Sequence, residues 1–175
     1  MIADTRPEIT DQYIAGCKKF ILEPGYVYIT LKPTIITTIL GSCVSVALYD
    51  RVLKFGGMNH YLMPSKQGDD GRSSKYGNYA IFALYHSMLK FGSNPLNMTA
   101  SIIGGGHTKD NKLSAGISAR NIEIAHKIIT SFSLPIEFES TGKSIGRKIK
   151  FYSELNYFEI KELSGAFSSN FPIWE

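Results

Sequence analysis

Cysteine is almost missing from this chain: Cys17 and Cys43 are the only two among 175 residues. One sits in a polar N-terminal stretch and the other in a glycine bend, so neither a disulfide framework nor a zinc knuckle can be built from them. That usage goes with free thiols and a reducing compartment. HExxH is absent too, and neither cysteine has a partner at ligand spacing, so no metal or organic cofactor is expected. No apolar run approaches the length that crosses a bilayer. The start, Met1-Ile2-Ala3-Asp4-Thr5-Arg6, is polar and acid-containing, unlike a secretory signal. A cytoplasmic protein without direct membrane insertion is the expectation. Basic residues exceed acidic ones only by 19 to 15 and are scattered, densest at Lys143, Arg147, Lys148 and Lys150. With no basic stripe and no interleaved stacking aromatics, nucleic acid is not an expected partner; what remains is a mild bias toward acidic ones.

What the chain does have is core-forming material. A hydrophobic fraction of 43% with 12% aromatics suffices for one domain of this length. Residues up to Pro24-Gly25 read as an N-terminal extension, and the core is expected to begin with the alternating Val27–Leu31. Ile35–Leu40, Val44–Tyr49 and Lys54–Met63 continue as β signals, separated by Gly41-Ser42, Asp50-Arg51 and Pro64. The polar, glycine-rich 65–74 stretch reads as a surface loop and a candidate lid. Asn78–Phe91 and Ile117–Phe132 carry helical periodicity, with a strand at Ala100–Ile103 between them that runs into the turn Gly104-Gly105-Gly106. Strand signals at Ile136–Phe138, Lys148–Tyr152 and Tyr157–Leu163 follow, then a peripheral tail from 165 that includes Trp174. The order predicts an α+β fold: a layered mixed β-sheet sandwich flanked by helices, in one domain spanning 26–164.

Chemistry concentrates in Leu40-Gly41-Ser42-Cys43-Val44 and Gly56-Gly57-Met58-Asn59-His60. A thiol and an imidazole are the two parts of a nucleophilic cysteine site, the imidazole drawing the proton off sulfur. A catalytic pair of that kind should alkylate quickly well below the ordinary thiol pKa of about 8.5. Gly41 and Ser42 can bring backbone N–H groups to a developing oxyanion. Gly56-Gly57 lets another segment approach the histidine strand closely. A third polar group usually orients such a histidine; Thr37 and Thr38 are both available, and alternation in a strand lets only one of them serve. His107 is a lesser alternative base; His86 and His126 read as helix surface or packing residues, and Cys17 as inert.

Taken in order, Leu40-Gly41-Ser42-Cys43-Val44, Tyr49-Asp50, Gly57-Met58-Asn59-His60, Leu62-Met63-Pro64, Lys75-Tyr76-Gly77, Ile103-Gly104-Gly105, Ala119-Arg120-Asn121, Thr141-Gly142 and Gly146-Arg147-Lys148 resemble the CheD-type chemoreceptor glutamine deamidases. The resemblance implies the cysteine-hydrolase fold of toxin deamidases, with Cys43 as nucleophile, His60 as base and Thr37 as the hydrogen-bonding third member. Ser42, Gly41 and Asn59 are the implied oxyanion or substrate-binding positions. It further implies conversion of glutamine side chains of methyl-accepting chemotaxis receptors to glutamate, methyl-ester hydrolysis in some members, and a CheC-type phosphatase as a partner in many species. A non-catalytic or weakly catalytic regulator that binds such a phosphatase is the competing expectation. The chain departs from the family pattern at Gly106-His107-Thr108, Asn78, Ser118, Ser140 and Lys143, the last two standing at an Asp and a Gly position.

Overall fold

The computed structural model describes residues 7–66, 72–107 and 111–163. In it β1 (Lys18–Ile21), β3 (Thr34–Leu40), β8 (Gly146–Tyr152) and β9 (Tyr157–Leu163) form a four-stranded sheet in the order β1-β3-β8-β9. A five-stranded sheet runs β2-β5-β4-β6-β7, from β2 (Val27–Thr30), β5 (Phe55–Asn59), β4 (Val44–Asp50), β6 (Met98–Gly104) and β7 (Ile136–Thr141). Both sheets are mixed, since β1 pairs β3 and β6 pairs β7 in parallel while the other ladders are antiparallel. Helices α2 (Gly77–Lys90) and α3 (Lys112–Ser131) cover the outer face of the larger sheet. The fold is α+β, three layers deep, as the element order implies.

Alternation along β4 explains the layering. Val44, Val46 and Leu48 point one way and pack with Ile81, Leu84, Met88, Ile128 and Ile129 of the helices. Ala47 points the other way, with Met58 of β5, against Leu22, Ile36 and Phe151 of the smaller sheet. Every residue of β4 is buried, the signature of a strand covered on both faces rather than a half-solvated one. The close fit needs glycine at β5: a Cβ on Gly57 would stand 2.5 Å from Tyr28 O, and one on Gly56 2.6 Å from Leu48 O. The expectation that Gly56-Gly57 admits a closely packed neighbour holds on both sides of the strand.

The N-terminal boundary needs correction. Residues 1–25 are not a mere extension, because α1 (Asp11–Gly16) and β1 lie within them and β1 adds a parallel edge strand to β3. Leu22 is 2% exposed and joins the inter-sheet core, and Cys17 packs with Ile35 and Tyr152 as a small buried hydrophobe. The Lys18-Lys19-Phe20-Ile21 segment lacks alternation, which hid it as a strand. The central part of the candidate lid and the C-terminal tail with Trp174 lie outside the described residues. No helix among the described residues is long and apolar enough to cross a membrane.

Candidate active site

Cys43 and His60 are placed on neighbouring strands by one register, with no hydrogen bond between sulfur and ring among the described residues. Val44 and Tyr61 form an isolated antiparallel bridge, N–H to O in both directions at 3.2 and 3.1 Å. With Val44 and Tyr61 turned toward the helices, their neighbours Cys43 and His60 both turn to the opposite face, diagonally placed on adjacent strands. Diagonal cross-strand pairs are within reach of longer side chains. Between this bridge and the regular β4–β5 ladder, Asn59 replaces a rung: its Oδ1 accepts from Val46 N at 2.8 Å, and its backbone O accepts from Ser45 Oγ. Asn59 is fully enclosed. Its carboxamide oxygen therefore belongs to the framework, while Nδ2 has no hydrogen-bond partner among the described residues.

A hydroxyl does hold the imidazole, and it is Thr38's. Thr38 Oγ1 lies 2.8 Å from His60 Nδ1 and 2.8 Å from Leu22 O. Thr37, the residue implied by the resemblance, points outward on β3; Ile36, Thr38 and Leu40 are the inward set, all buried. The pairing of Thr38 also fixes the ring's tautomer. Its single hydroxyl proton goes to the Leu22 carbonyl, so the oxygen accepts from Nδ1–H and leaves Nε2 with a free lone pair. Among the described residues Nε2 has no hydrogen-bond partner, although His60 is only 2% exposed. A buried imidazole, oriented from behind and with its second nitrogen unspent, is the arrangement a general base needs. Thr38→Val is expected to lower kcat about tenfold with KM little changed, whereas Thr37→Val stays near wild type. Steady-state kinetics of the two variants, side by side, check this.

Burial sets the resting charge state. It pushes the Cys43 thiol up to about 11, opposed by the residue's own backbone N–H, and pushes His60 down to about 4. Both groups are therefore neutral at pH 7. Desolvation penalises both ions of the pair and so works against a preformed thiolate that alkylates rapidly at low pH. The thiol must lose its proton during attack, not before it.

The bend that carries Cys43 is packed from one side by the triple glycine. Gly106 N donates to Gly41 O and Gly105 N to Cys43 O, each at 2.8 Å, and Gly104 and Gly105 adopt φ of 114° and 66°. A Cβ on Gly106 would strike Ile145 O. Gly104-Gly105-Gly106 is thus a turn in close backbone contact, as read from the sequence. Below it, buried Arg147 binds Ser140 Oγ at 3.1 Å, Gly142 O at 3.0 Å and Ile145 O at 3.4 Å. Ser140 gives this cation a neutral partner, and Lys143 has φ of 65°, a left-handed conformation that suits glycine better than lysine.

Gly41 faces open space, with nothing within 4 Å of where a Cβ would lie. On the other side of His60 a small recess of about 70 Å³ is lined by Leu22, Pro24, Thr37, Thr38 and Ile39. A wider recess of about 500 Å³, bordered by Tyr49, Arg51, Lys54 and Glu137, lies at the far end of β4 from Cys43. His107 donates its backbone N–H to Lys143 O at 3.1 Å. His86 packs on Phe82 and Tyr85, and His126 meets Glu139 Oε1 at 3.1 Å on the surface. Neither belongs to the site. A residue beside the nucleophile bend that sequence reasoning left without a task is Asn121, buried in α3 and bonded to Ser42 O and Leu62 O. Its place in the Ala-Arg-Asn motif was the only signal.

The geometry defines a class: an α+β sandwich that presents a thiol and a hydroxyl-oriented imidazole together at one end of its central strands. The family model described as CheD chemotactic sensory transduction matches residues 62–162. A Sulfurimonas denitrificans protein named probable chemoreceptor glutamine deamidase CheD is 37% identical over 138 residues, 78% of this chain and 88% of its own length. One of the same name from Thiobacillus denitrificans is 32% identical over 151 residues, 84% and 75% of the two chains. This chain belongs to the CheD family. The family-model segment begins just after His60, but matches as long as those to the two relatives necessarily include Cys43 and His60. Among solved structures, the hypothetical protein YfiH of Bacillus licheniformis aligns over 67% of this chain and 51% of its own, at 17% identity and a TM-score of 0.44.

Proposed function

We propose that the protein deamidates glutamine side chains of chemotaxis receptors through a thioester on Cys43. Sγ attacks the carboxamide carbon while His60 Nε2 takes the thiol proton, so the C–S bond forms as the carbonyl π pair moves to oxygen. Collapse of that intermediate breaks the C–N bond, and His60 returns the proton to nitrogen, releasing ammonia. Water, deprotonated by the same Nε2, then attacks the thioester and frees glutamate and the thiol. Thr38 keeps Nε2 available throughout by holding Nδ1–H. The observation that carries this reading is that buried, unpartnered Nε2, on the same sheet face as Cys43. Relatives named as chemoreceptor glutamine deamidases supply the substrate class. A cytoplasmic location accompanies it, because the receptor glutamines in question lie on that side.

Mass spectrometry of a folded receptor cytoplasmic fragment, incubated with the protein, tests the proposal. Glutamine-to-glutamate conversion at discrete sites is expected. A confirmed helical fragment left unconverted at every glutamine would overturn it.

A further inference from the structure

All three carbonyls of the nucleophile bend are taken. Gly41 O accepts from Gly106 N at 2.8 Å, Ser42 O from Asn121 Nδ2 at 3.0 Å and Cys43 O from Gly105 N at 2.8 Å. A trans peptide sets each C=O antiparallel to the following N–H. Fixing Ser42 O toward Asn121 of α3 therefore turns the Cys43 N–H away from α3, and fixing Gly41 O on Gly106 N turns the Ser42 N–H away from the triple-glycine turn. The next amide, Val44 N–H, is spent on Tyr61 O. Cys43 N–H lies against its own sulfur, where it favours the thiolate, and the Gly41 side of the bend is open.

Asn121 is the side chain that governs the middle peptide. It is fully buried, and the same Nδ2 that reaches Ser42 O also reaches Leu62 O at 3.0 Å. Both neighbours are carbonyls, so only the NH2 end of the amide can face them. One group thereby ties the nucleophile's peptide to the strand end just beyond His60. Its own backbone O receives Tyr61 Oη–H at 2.6 Å, pinning α3 to the same strand.

We propose that Asn121 is a positioning residue that locks the Ser42–Cys43 peptide so that the Cys43 N–H points at the oxyanion of the tetrahedral intermediate. This deepens the thioester reading and rests on it. As Sγ bonds to the carboxamide carbon, charge gathers on oxygen, and a donor already aimed there stabilises the transition state more than the ground state. Without Asn121 the peptide can rotate and the donor is lost.

The test is a pair of variants, Asn121→Ala and the isosteric Asn121→Asp, which cannot donate. Expected is a loss of about 100-fold in kcat with KM within about threefold, together with a Cys43 alkylation profile displaced to higher pH. A purely structural role would lower thermal stability while leaving kcat per folded molecule and the alkylation profile unchanged. That result, in either folded variant, overturns the proposal. Should neither variant fold, wild-type protein is treated with a peptide bearing an aldehyde at the glutamine position, which forms a thiohemiacetal on Cys43. The Cys43 amide proton is expected to move strongly downfield in the NMR spectrum; an unmoved signal in the confirmed adduct overturns the inference. Wild-type protein that forms the adduct yet deamidates no receptor glutamine defeats the functional reading instead.

Discussion

Cys43→Ala is expected to remove receptor deamidation, by on the order of 10⁴-fold or more in kcat, while leaving the fold in place. In the proposed mechanism the sulfur is the atom to which the acyl group transfers, and the other thiol cannot replace it: Cys17 is buried among β3, β8 and α1, in a separate cluster. The stability cost is small by comparison. Cys43 is only partly buried and borders a small cluster of Leu40, Ile103 and Ile149, so losing one sulfur should cost about 1 kcal/mol. Deamidation rate and thermal midpoint measured on the same preparation separate the two effects. A variant that retains even a tenth of the rate would contradict the assignment of Cys43.

His60→Gln should cost about 10² to 10⁴-fold in kcat, the range of a lost general base. The wild-type pH dependence gives the sharper signature. Catalysis needs neutral His60 and a protonated thiol, so kcat/KM should rise through about pH 4 and hold a broad plateau until the thiol ionises near 11. Alkylation of free enzyme should instead be slow at neutral pH and climb toward that upper value. A preformed thiolate–imidazolium pair would show the reverse, with fast alkylation at mildly acidic pH. Stability carries the same sign. The unfolded state binds a proton on His60 at the ordinary 6.5 while the folded state resists until about 4, so the native form loses stability as pH falls between those values. The full effect is about 3 kcal/mol. His60→Gln should lack that acid-side loss, read from urea midpoints across the window.

How much of this was legible in the chain differs by element. Val27–Thr30, β4 and β9 announced themselves by alternation or β-branching, and both long helices by period. β1 did not, because Lys18-Lys19-Phe20-Ile21 pairs at a parallel edge with only Phe20 half-buried and the rest exposed. In β3 the sequence shows aliphatics on both parities, Ile35 and Ile39 beside Ile36 and Leu40. Periodicity therefore could not say whether Thr37 or Thr38 faces inward. The answer lies in which face meets the second sheet, a tertiary fact. Asn59 looked like a substrate contact because it precedes His60; that its amide oxygen fills a gap in the β4–β5 ladder is again a tertiary fact. Burial moved both Cys43 and His60 toward neutrality, which motif spacing does not encode. Gly41-Ser42-Cys43 and His60 themselves were visible from residue type and context alone.

The central claim is a thioester on Cys43, and trapping it is the most direct measurement. A receptor fragment and the protein are mixed with hydroxylamine, which intercepts a thioester, and the product at each target glutamine is read by mass spectrometry. The mechanism predicts a glutamyl hydroxamate at the deamidated positions, rising with hydroxylamine concentration at the expense of glutamate and absent with Cys43→Ala. Full conversion to glutamate with no hydroxamate at any concentration would mean that water attacks the carboxamide directly, and would contradict the account.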